Sequence, residues 1–347
     1  MHFFVQEWSE NVEVYGPKLS GQHLVVTCGN SCFELSGVGG TSIFQVPLHE
    51  LTSTHEEADT HLLLHAAHIA RCGHRTIVIR SPDTDVAVLA IYFAEDINAR
   101  LLFRTGTKNR ARFIDLTALA CLHTKPLCRA FPGVHALTGC DSTSAFVGRG
   151  KKPALSILLD PNNAAGREAM GRLGSSFEVS QDLYDEVERF VCLLYGSSHH
   201  TDVNELRYEL FCLKAAQSSQ LPPTKDALRK HTLRANYQTA VWRRSLEPQP
   251  VVPSPHGYGW KVKDDEITID WMDQQPAPLE LLVTVLCGCR RGCTSGRCSC
   301  SKASLACTDA CKCSGCGNRP EKDVEGVCED IGEDDGSGSE SDDDEPM

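Results

Sequence analysis

The sequence lacks a long apolar run, a basic N-terminal segment and any overall excess of basic charge. No apolar stretch approaches the roughly 20 residues that a membrane-spanning helix needs. The first residues, Met1 to Phe4, have no basic flank, so we expect no signal peptide. Of the 347 residues, 41% are hydrophobic and 23% charged, which excludes a collagen, a wholly disordered chain and a polytopic membrane protein. This length predicts two or three domains of roughly 100–200 residues each.

The net charge of −12 is confined to one segment. Residues 320–347 hold thirteen acids and one base, which accounts for the whole imbalance. This tail is rich in Asp, Glu, Ser and Gly, and we expect it to be disordered. The rest of the chain, residues 1–319, has no net charge but contains a basic segment. Residues 281–319 hold six Arg and Lys residues and one acid.

The cysteines are distributed just as unevenly along the chain. Nine of the eighteen lie between Cys287 and Cys316, in the spacing C-x-C-x₃-C-x₄-C-x-C-x₆-C-x₃-C-x-C-x₂-C. Without a secretory signal, such a block indicates metal ligands rather than disulfides, in a reducing compartment such as the cytosol or nucleus. Thirty residues cannot bury a useful core, but bonds between thiolates and zinc can fold them.

The cysteine spacing leaves two zinc arrangements open. Three tetrahedral ions need twelve bonds, and nine cysteines supply them if three sulfurs each bridge two ions. The alternative is two separate four-cysteine sites with one spare thiol. A loose loop of reduced thiols is the remaining interpretation, and spacing this tight argues against it.

Three short motifs of this block resemble the tesmin-type CXC domain. They are Cys287-Gly288-Cys289, Cys298-Ser299-Cys300 and the segment from Cys307 to Cys316-Gly317-Asn318. The resemblance implies three structural zinc ions, a nuclear location and contact with DNA. The implied zinc ligands are Cys287, Cys289, Cys293, Cys298, Cys300, Cys307, Cys311, Cys313 and Cys316. The basic residues suited to phosphate contact are Arg290, Arg291, Arg297, Lys302 and Lys312.

One of these basic residues, Arg297, lies at a position that bears on DNA recognition. Arg297 stands where the CXC family has its DNA-reading tyrosine. The gap between Cys289 and Cys293 is also one residue shorter than in the usual family pattern. A zinc knot that is purely structural or binds protein is the alternative to a DNA-binding module.

The pattern of elements over residues 1–160 predicts an α/β domain, in which a sheet has flanking helices. A helical extension over 161–247 and a Pro-rich linker over 248–280 follow. The chain then continues with the CXC zinc module over 281–319 and the acidic tail over 320–347. The predicted strands are His23–Thr27, Ile43–Val46, Thr76–Arg80, Leu101–Arg104, Arg112–Leu116 and Glu266–Trp271. The predicted helices are Glu56–Cys72, Val86–Phe93, Asp182–Tyr195, Val203–Ala216 and one that begins after Pro223 and ends near Trp242.

Five carboxylates stand where strands and helices of the α/β region meet. Groups at the carboxyl ends of strands converge on one crevice in such sheets, where carboxylates repel each other unless cations intervene. Their hard oxygen atoms suit Mg²⁺ or Mn²⁺, and two such ions can activate water and stabilise the leaving oxygen of a phosphodiester. The candidate catalytic residues are Glu57, Asp59, Asp83, Asp85 and Asp141.

The order E-A-D, D-T-D and G-C-D resembles the PIN-like fold of the flap-endonuclease group over residues 56–160. In that family the matching acids bind two metal ions. A glycine–lysine turn binds DNA phosphates, a role that the resemblance gives to Gly148, Gly150, Lys151 and Lys152. The family's first strand carries another metal-binding Asp, and no Asp precedes Asp59 in this chain. We therefore expect an incomplete site or an N-terminally truncated chain. A PIN-like region beside a CXC block also resembles mobile-element-derived animal proteins.

Each acid also has an ordinary structural explanation. Glu57 and Asp59 are suited to the first turn of a helix, Asp83 to a turn, and Asp141 to the N-cap of a helix over 142–147. His61, His65 and His68 share a helix face with Glu57, which is compatible with a zinc site, although a solvated polar face is the favoured interpretation.

Three functions follow from these patterns. The leading hypothesis is a nuclear, zinc-containing, DNA-associated protein with a degenerate or partial nuclease domain. The second is an active Mg²⁺- or Mn²⁺-dependent nuclease that acts on branched or single-stranded DNA. The third is a protein-interaction scaffold with a structural zinc knot. None of the three requires a membrane or a small-molecule substrate.

The cysteine spacing makes the first testable prediction. We expect close to three zinc ions per chain, all lost when residues 287–316 are deleted. Cys298→Ser or Cys300→Ser should unfold the module, because metal binding supplies its folding free energy. Elemental analysis measures the count: about two ions per chain would favour separate sites, and none would refute the zinc module.

Overall fold

The structure, a computed structural model, describes residues 2–106, 110–214, 220–264, 266–274 and parts of 287–318. In the last segment it describes 287–289, 292–293, 298–302, 306–307, 311–314 and 316–318. The chain divides into two compact units, residues 1–274 and 275–347. The acidic tail lies outside the described residues.

The first unit contains helices and short strands in mixed order. Its helices are α1 (His2–Glu10), α2 (Val12–Leu19), α3 (Ala58–Arg71), α4 (Thr84–Tyr92), α5 (Leu116–Leu122), α6 (Lys125–Leu137), α7 (Lys151–Leu159), α8 (Ala164–Arg172), α9 (Gln181–Leu194), α10 (Val203–Lys214) and α11 (Lys225–Trp242). Its strands are β1 (His23–Cys28), β2 (Ser31–Val38), β3 (Ser42–Pro47), β4 (Thr76–Arg80), β5 (Arg100–Thr105), β6 (Arg112–Asp115), β7 (Trp260–Lys263) and β8 (Glu266–Ile269). The expected mixed α/β class is confirmed.

The strands form three small sheets. The first is antiparallel, in the order β1-β2-β3, and the second has the order β4-β5-β6. In the second sheet β4 pairs with β5 in parallel, with Ile77 opposite Leu101, and β5 pairs with β6 antiparallel. The second sheet is therefore partly parallel. Strand β2 is not among the predicted strands, and it joins β1 and β3 into a separate sheet. Strands β7 and β8 form a hairpin.

One core joins the expected PIN-like region to the expected helical extension. It includes Leu63 of α3, Ile79 of β4, Leu137 of α6 and Phe190 of α9, all 5% exposed or less. Helix α6 packs against both α8 and α11. Residues 63–160 and 161–247 thus share one hydrophobic core, whereas the helices and strands before α3 pack around smaller, separate clusters.

The predicted linker packs onto this unit as far as residue 274. Arg234 of α11 is 1% exposed and donates from Nη1 to the carbonyl oxygens of Gly259 and Asp270, at 3.1 Å each. The Tyr237 hydroxyl donates to the Pro253 carbonyl at 2.7 Å. We call residues 248–274 the strap. The proline content predicted a linker, but α11 supplies buried partners for the backbone carbonyls of the strap.

In the second unit the structure describes a short helix, α12 (Ser299–Lys302), and all nine cysteines of the block. Among the described residues of the chain, no helix combines the length and hydropathy that crossing a bilayer requires.

The contact between α6 and α8 depends on a glycine. A Cβ on Gly133 of α6 would lie 2.2 Å from the Met170 carbonyl oxygen of α8. We expect Gly133→Ala to lower the free energy of unfolding by about 1–3 kcal/mol, because the helices must move apart. In contrast, a Cβ on Gly171 of α8 meets no atom within 4 Å. Gly171→Ala should be neutral or stabilising, by up to about 1 kcal/mol. Equal effects of the two variants in urea denaturation would contradict this prediction.

Candidate metal sites

Five acids predicted from the sequence come together in the first unit. Carboxylate oxygens of Asp59, Asp83 and Asp85 lie within 4.8 Å of one another. The charges of Glu57 and Asp141 also act on Asp59, which places both near this group. We call the five residues the acidic cluster. The N-cap and first turn of α3 supply Glu57 and Asp59, and the N-cap and first turn of α4 supply Asp83 and Asp85.

Asp83 and Asp85 are positioned by the end of β4. After this strand, the Ser81 hydroxyl accepts a hydrogen bond from the Asp83 N–H at 3.0 Å. The Asp83 carboxylate in turn caps α4 by accepting from the Asp85 N–H at 2.8 Å. The turn role expected for Asp83 is therefore present, together with a capping role that the sequence did not predict. Its carboxylate nevertheless lies close to those of Asp59 and Asp85.

Asp85 has a buried partner that the sequence did not reveal. His135 of α6 lies with Nε2 2.6 Å from Asp85 Oδ1, and both residues are buried. Burial alone would raise the pKa of Asp85, but the hydrogen bond and charge of His135, with a smaller effect of Lys151, keep this pKa below its ordinary value. Asp85 is therefore held as a carboxylate in a fixed orientation.

Glu57 is held by α11. Gln238 Nε2 donates to one carboxylate oxygen of Glu57 at 2.7 Å, and Trp242 Nε1 donates to the other at 2.9 Å. The Ser142 hydroxyl donates to Gln238 Oε1 at 2.6 Å, which links the loop after Asp141 to the same network. Glu57 precedes α3 but its side chain makes no capping bond. Its carboxylate is bound to the core helix instead.

Asp59 is the member of the acidic cluster whose pKa is raised. Burial, followed by the charges of Asp83, Asp85, Glu57 and Asp141, raises its pKa from 3.8 to about 6. A carboxyl group with this surrounding charge gains most from a cation, since a cation replaces repulsion by attraction. The three closest acids offer only oxygen donors, which is the ligand chemistry of Mg²⁺ and Mn²⁺.

A cleft of about 820 Å³ adjoins the acidic cluster. Glu57 and Asp141 line it on one side, and the aromatic residues Tyr237 and Trp260 with residues of the strap line it on the other. Asp141 is exposed in a turn, and no helix follows it over 142–147, so the expected N-cap role for Asp141 is wrong. Of the acidic cluster, Glu57 and Asp141 are the members that line the cleft.

The predicted phosphate-binding turn lies at the start of α7. Gly150 is the N-cap of this helix, and Lys151 and Lys152 form its exposed first turn. Gly148 adopts a positive φ of 67°. Lys151 Nζ donates to the Gly139 carbonyl at 2.5 Å, which ties this turn to the loop that carries Asp141. The exposed N–H groups of a helix start suit an anion.

The three histidines of α3 do not form a common metal site with Glu57. The His65 imidazole is hydrogen-bonded to the Thr27 hydroxyl at 2.8 Å, and His68 Nδ1 lies 3.4 Å from Glu50. His61 stacks on His55, with ring centroids 5.2 Å apart. Burial lowers the pKa of His61 and of His65. These partners differ from residue to residue, and the predicted solvated face is partly buried.

The nine cysteines of the second unit form one sulfur-rich core. Seven of them are 8% exposed or less. Measured Sγ–Sγ distances are 3.7 Å for Cys287–Cys293, 3.6 Å for Cys298–Cys307 and 3.6 Å for Cys300–Cys311. A disulfide would require about 2.05 Å. Two thiolates on one tetrahedral zinc, with Zn–S bonds of 2.3 Å, lie about 3.7 Å apart. The thiol spacing therefore fits zinc.

The possible ligand groups overlap. The three groups of four cysteines that fit one ion are Cys287, Cys298, Cys300 and Cys307; Cys287, Cys289, Cys293 and Cys298; and Cys287, Cys293, Cys307 and Cys313. Because all three groups contain Cys287, no two of them are independent.

Backbone groups support the thiolate form of some cysteines. A backbone hydrogen bond from Ser301, at the start of α12, lowers the pKa of Cys298 to about 6. Asn318 donates from Nδ2 to Cys307 Sγ and from its N–H to Cys316 Sγ, both at 3.4 Å. Such donors orient and stabilise metal-binding sulfurs. The Gly317-Asn318 pair of the sequence motif therefore has a structural role beside the sulfurs.

The structure describes two of the five basic residues of the second unit that were predicted to contact DNA. Lys302 and Lys312 are exposed on the sulfur core. Arg290, Arg291 and Arg297 lie outside the described residues.

Sequence reasoning missed the residues that hold the acids. His135 lies 50 residues from Asp85, and Gln238 and Trp242 lie 181 and 185 residues from Glu57. No short motif links partners so distant. The sequence predicted a helix that begins after Pro223 and ends near Trp242, which is α11, but not the acid that its side chains bind.

No family model matches the chain, and no curated protein and no solved structure matches it.

The raised pKa of Asp59 gives a pH-dependent prediction. Its carboxyl group is protonated in both states below about pH 4, whereas above pH 6 only the folded state bears a carboxylate that is surrounded by like charges. We expect Asp59→Asn to raise the melting temperature of the metal-free protein at pH 7.5. This gain should shrink as the pH falls through 6 and vanish below about 4. The exposed Glu168→Gln is the control, and a gain independent of pH would contradict the prediction.

Proposed function

We propose that the chain is a zinc-containing, DNA-binding protein of the nucleus, with a divalent-cation site of nuclease type in its first unit. One observation carries this proposal: acids from three separate segments converge beside the end of β4, and burial, followed by the charges of the neighbouring acids, raises the pKa of Asp59 to about 6. Structural acids of a protein surface are usually dispersed, whereas perturbed groups in a cleft are typical of functional sites.

Asp59, Asp83 and Asp85 are the residues that would hold Mg²⁺ or Mn²⁺. Such an ion would neutralise their charge and attract a phosphate oxygen of a DNA strand. His135 fixes Asp85, while Gln238 and Trp242 fix Glu57, so the acids keep their positions without rearrangement of the backbone. Preorganisation of this kind favours binding.

The surroundings of the acidic cluster suit a DNA strand. The start of α7, with Lys151 and Lys152, offers N–H groups and positive charge for a neighbouring phosphate. On the other side, the cleft offers the aromatic rings of Tyr237 and Trp260 without any lysine or arginine among its described lining residues. An uncharged nucleobase fits such a cleft better than a phosphate does.

The second unit completes the proposal as a CXC module. Three zinc ions that share thiolates would fold it, in agreement with the overlap of the possible ligand groups at Cys287. Its basic side chains, among them the exposed Lys302 and Lys312, would contact the phosphates of DNA.

Hydrolysis of the phosphodiester is the second candidate function. The number of converging carboxylates favours it, because two-metal hydrolysis needs several bridging acids. We expect slow or no cleavage by this chain, since the family that it resembles uses a further Asp from its first strand.

Metal and DNA binding test the proposal in the full chain. Mn²⁺ should raise the melting temperature of the parent protein, and Asp83→Asn with Asp141→Asn should abolish this rise, because the site loses two charges. In fluorescence anisotropy with a labelled DNA strand, Lys151→Gln with Lys152→Gln should weaken binding. It should also lower the slope of log K against log salt by about 0.7–0.9 for each lost phosphate contact.

Lys18→Gln, which removes an exposed lysine far along the sequence, is the matched control and should change neither quantity. Salt-independent association, or no association with DNA in Mg²⁺, would leave the protein-interaction scaffold as the better description. Rapid cleavage that requires Mg²⁺ and is lost with Asp83→Asn would establish the nuclease instead.

A further inference from the structure

A second group of metal-type ligands lies on the loop between α9 and α10 and on α10 itself. One ring nitrogen each of His199 and His200 and a carboxylate oxygen of Glu209 lie within 4.8 Å of one another. His200 Nε2 lies 3.0 Å from Glu209 Oε2. We call these three residues the His–His–Glu group. It shares no residue with the acidic cluster or with the nine cysteines.

The spacing of this group is close to that of a tetrahedral metal site. Bonds of 2.0–2.2 Å from zinc to imidazole nitrogen and carboxylate oxygen place two ligand atoms about 3.3–3.5 Å apart. The His200–Glu209 pair is near this value, and a ring nitrogen of His199 lies within 4.8 Å of both ligand atoms. A carboxylate beside two imidazoles supplies the mixed nitrogen and oxygen donors that zinc, cobalt and nickel prefer over magnesium.

Ser197 holds both imidazoles in a suitable orientation. Its Oγ lies 2.8 Å from His200 Nδ1 and 3.4 Å from His199 Nδ1, and it also accepts from the His200 N–H at 3.3 Å. When Nδ1 of His200 carries the proton, this ring donates to the Ser197 oxygen, and its Nε2 keeps its lone pair for a metal ion. Ligating histidines usually have such a partner on the second nitrogen.

The loop itself is fixed at both ends. Gly196, at a φ of 90°, ends α9, and the Ser197 N–H donates to the Cys192 carbonyl at 3.0 Å. At the other end, the Asp202 carboxylate caps α10 through the N–H groups of Asn204 and Glu205. Ser197 is 6% exposed, so the oxygen that orients the rings belongs to the packed interior.

We propose that His199, His200 and Glu209 bind one transition-metal ion of the zinc type, with an open fourth position that water occupies. His199 is exposed and the Glu209 side chain is 45% exposed, so the ion faces solvent on that side. Two histidines, a glutamate and an open position form a donor set that is found in zinc sites accessible to substrates. The site is independent of DNA binding and of the zinc-binding cysteines.

The test uses the full chain with its cysteine block zinc-loaded and with excess Mg²⁺ present to fill the acidic cluster. Co²⁺ is then titrated by calorimetry and visible absorption. We expect one Co²⁺ per chain with ligand-field bands of a nitrogen and oxygen site, and without the sulfur-to-cobalt charge-transfer bands of a thiolate site. His200→Ala should lose this equivalent. Ser197→Ala should bind about 10–100-fold more weakly, because the rings lose their orienting partner.

Glu209→Gln keeps the size and hydrogen-bonding capacity of the side chain but removes its charge. It should fold normally by its melting temperature and still bind Co²⁺ weakly or not at all. His74→Ala, which removes another exposed histidine, is the control and should bind as the parent does. Equal Co²⁺ uptake by the parent, His200→Ala and Glu209→Gln, or bands from thiolate binding alone, would overturn the proposal and leave His200 and Glu209 as a simple ion pair.

Discussion

Repulsion among carboxylates beside the end of β4 is the constraint that the packing of the first unit has to satisfy. The structure satisfies it by giving two of the acids a donor from the core. Asp85 has His135 of α6, and Glu57 has Gln238 and Trp242 of α11. Asp59 has no comparable compensation, and its pKa rises accordingly. Two acids of the cluster have hydrogen-bond donors from the core, whereas Asp59 has none of this kind among the described residues. Such a site is suited to a cation that binds from solution rather than to a basic side chain of the protein.

Helix α11 carries much of this arrangement. One part of it bonds Glu57, while Arg234 and Tyr237 hold the strap by its backbone carbonyls. The cleft lies between these two sets of contacts, with Tyr237 and Gln238 in its lining. The position of the acids and the shape of the cleft are therefore coupled through a single buried helix. A change in the core face of α11 would alter both, even though the strap and the acids are far apart in sequence.

Local patterns predicted the elements that have strong local signals. The β-branched run of Thr76–Arg80 and the apolar periodicity of α3 appear in the structure almost as expected. Helix α6 was missed because Pro132 and Gly133 stand inside it, and both disfavour a helix locally. Packing of α6 against α8 and α11 outweighs that preference. The acids were identifiable because their short motifs stand beside predicted elements. Their partners were not, because contacts across 50 to 185 residues leave no local pattern.

The three candidate metal sites differ in their donor atoms. This difference would allow each site to select a different metal ion. The acidic cluster offers oxygen alone, the second unit sulfur, and the His–His–Glu group nitrogen with oxygen. Zinc binds most sites more tightly than magnesium does, so affinity alone would not keep magnesium in the acidic cluster. A thiolate cluster that folds only with zinc, as proposed for the second unit, would remove that ion from competition, because its binding free energy would include the folding of the module. Under this proposal the acidic cluster would be left to a hard cation such as Mg²⁺.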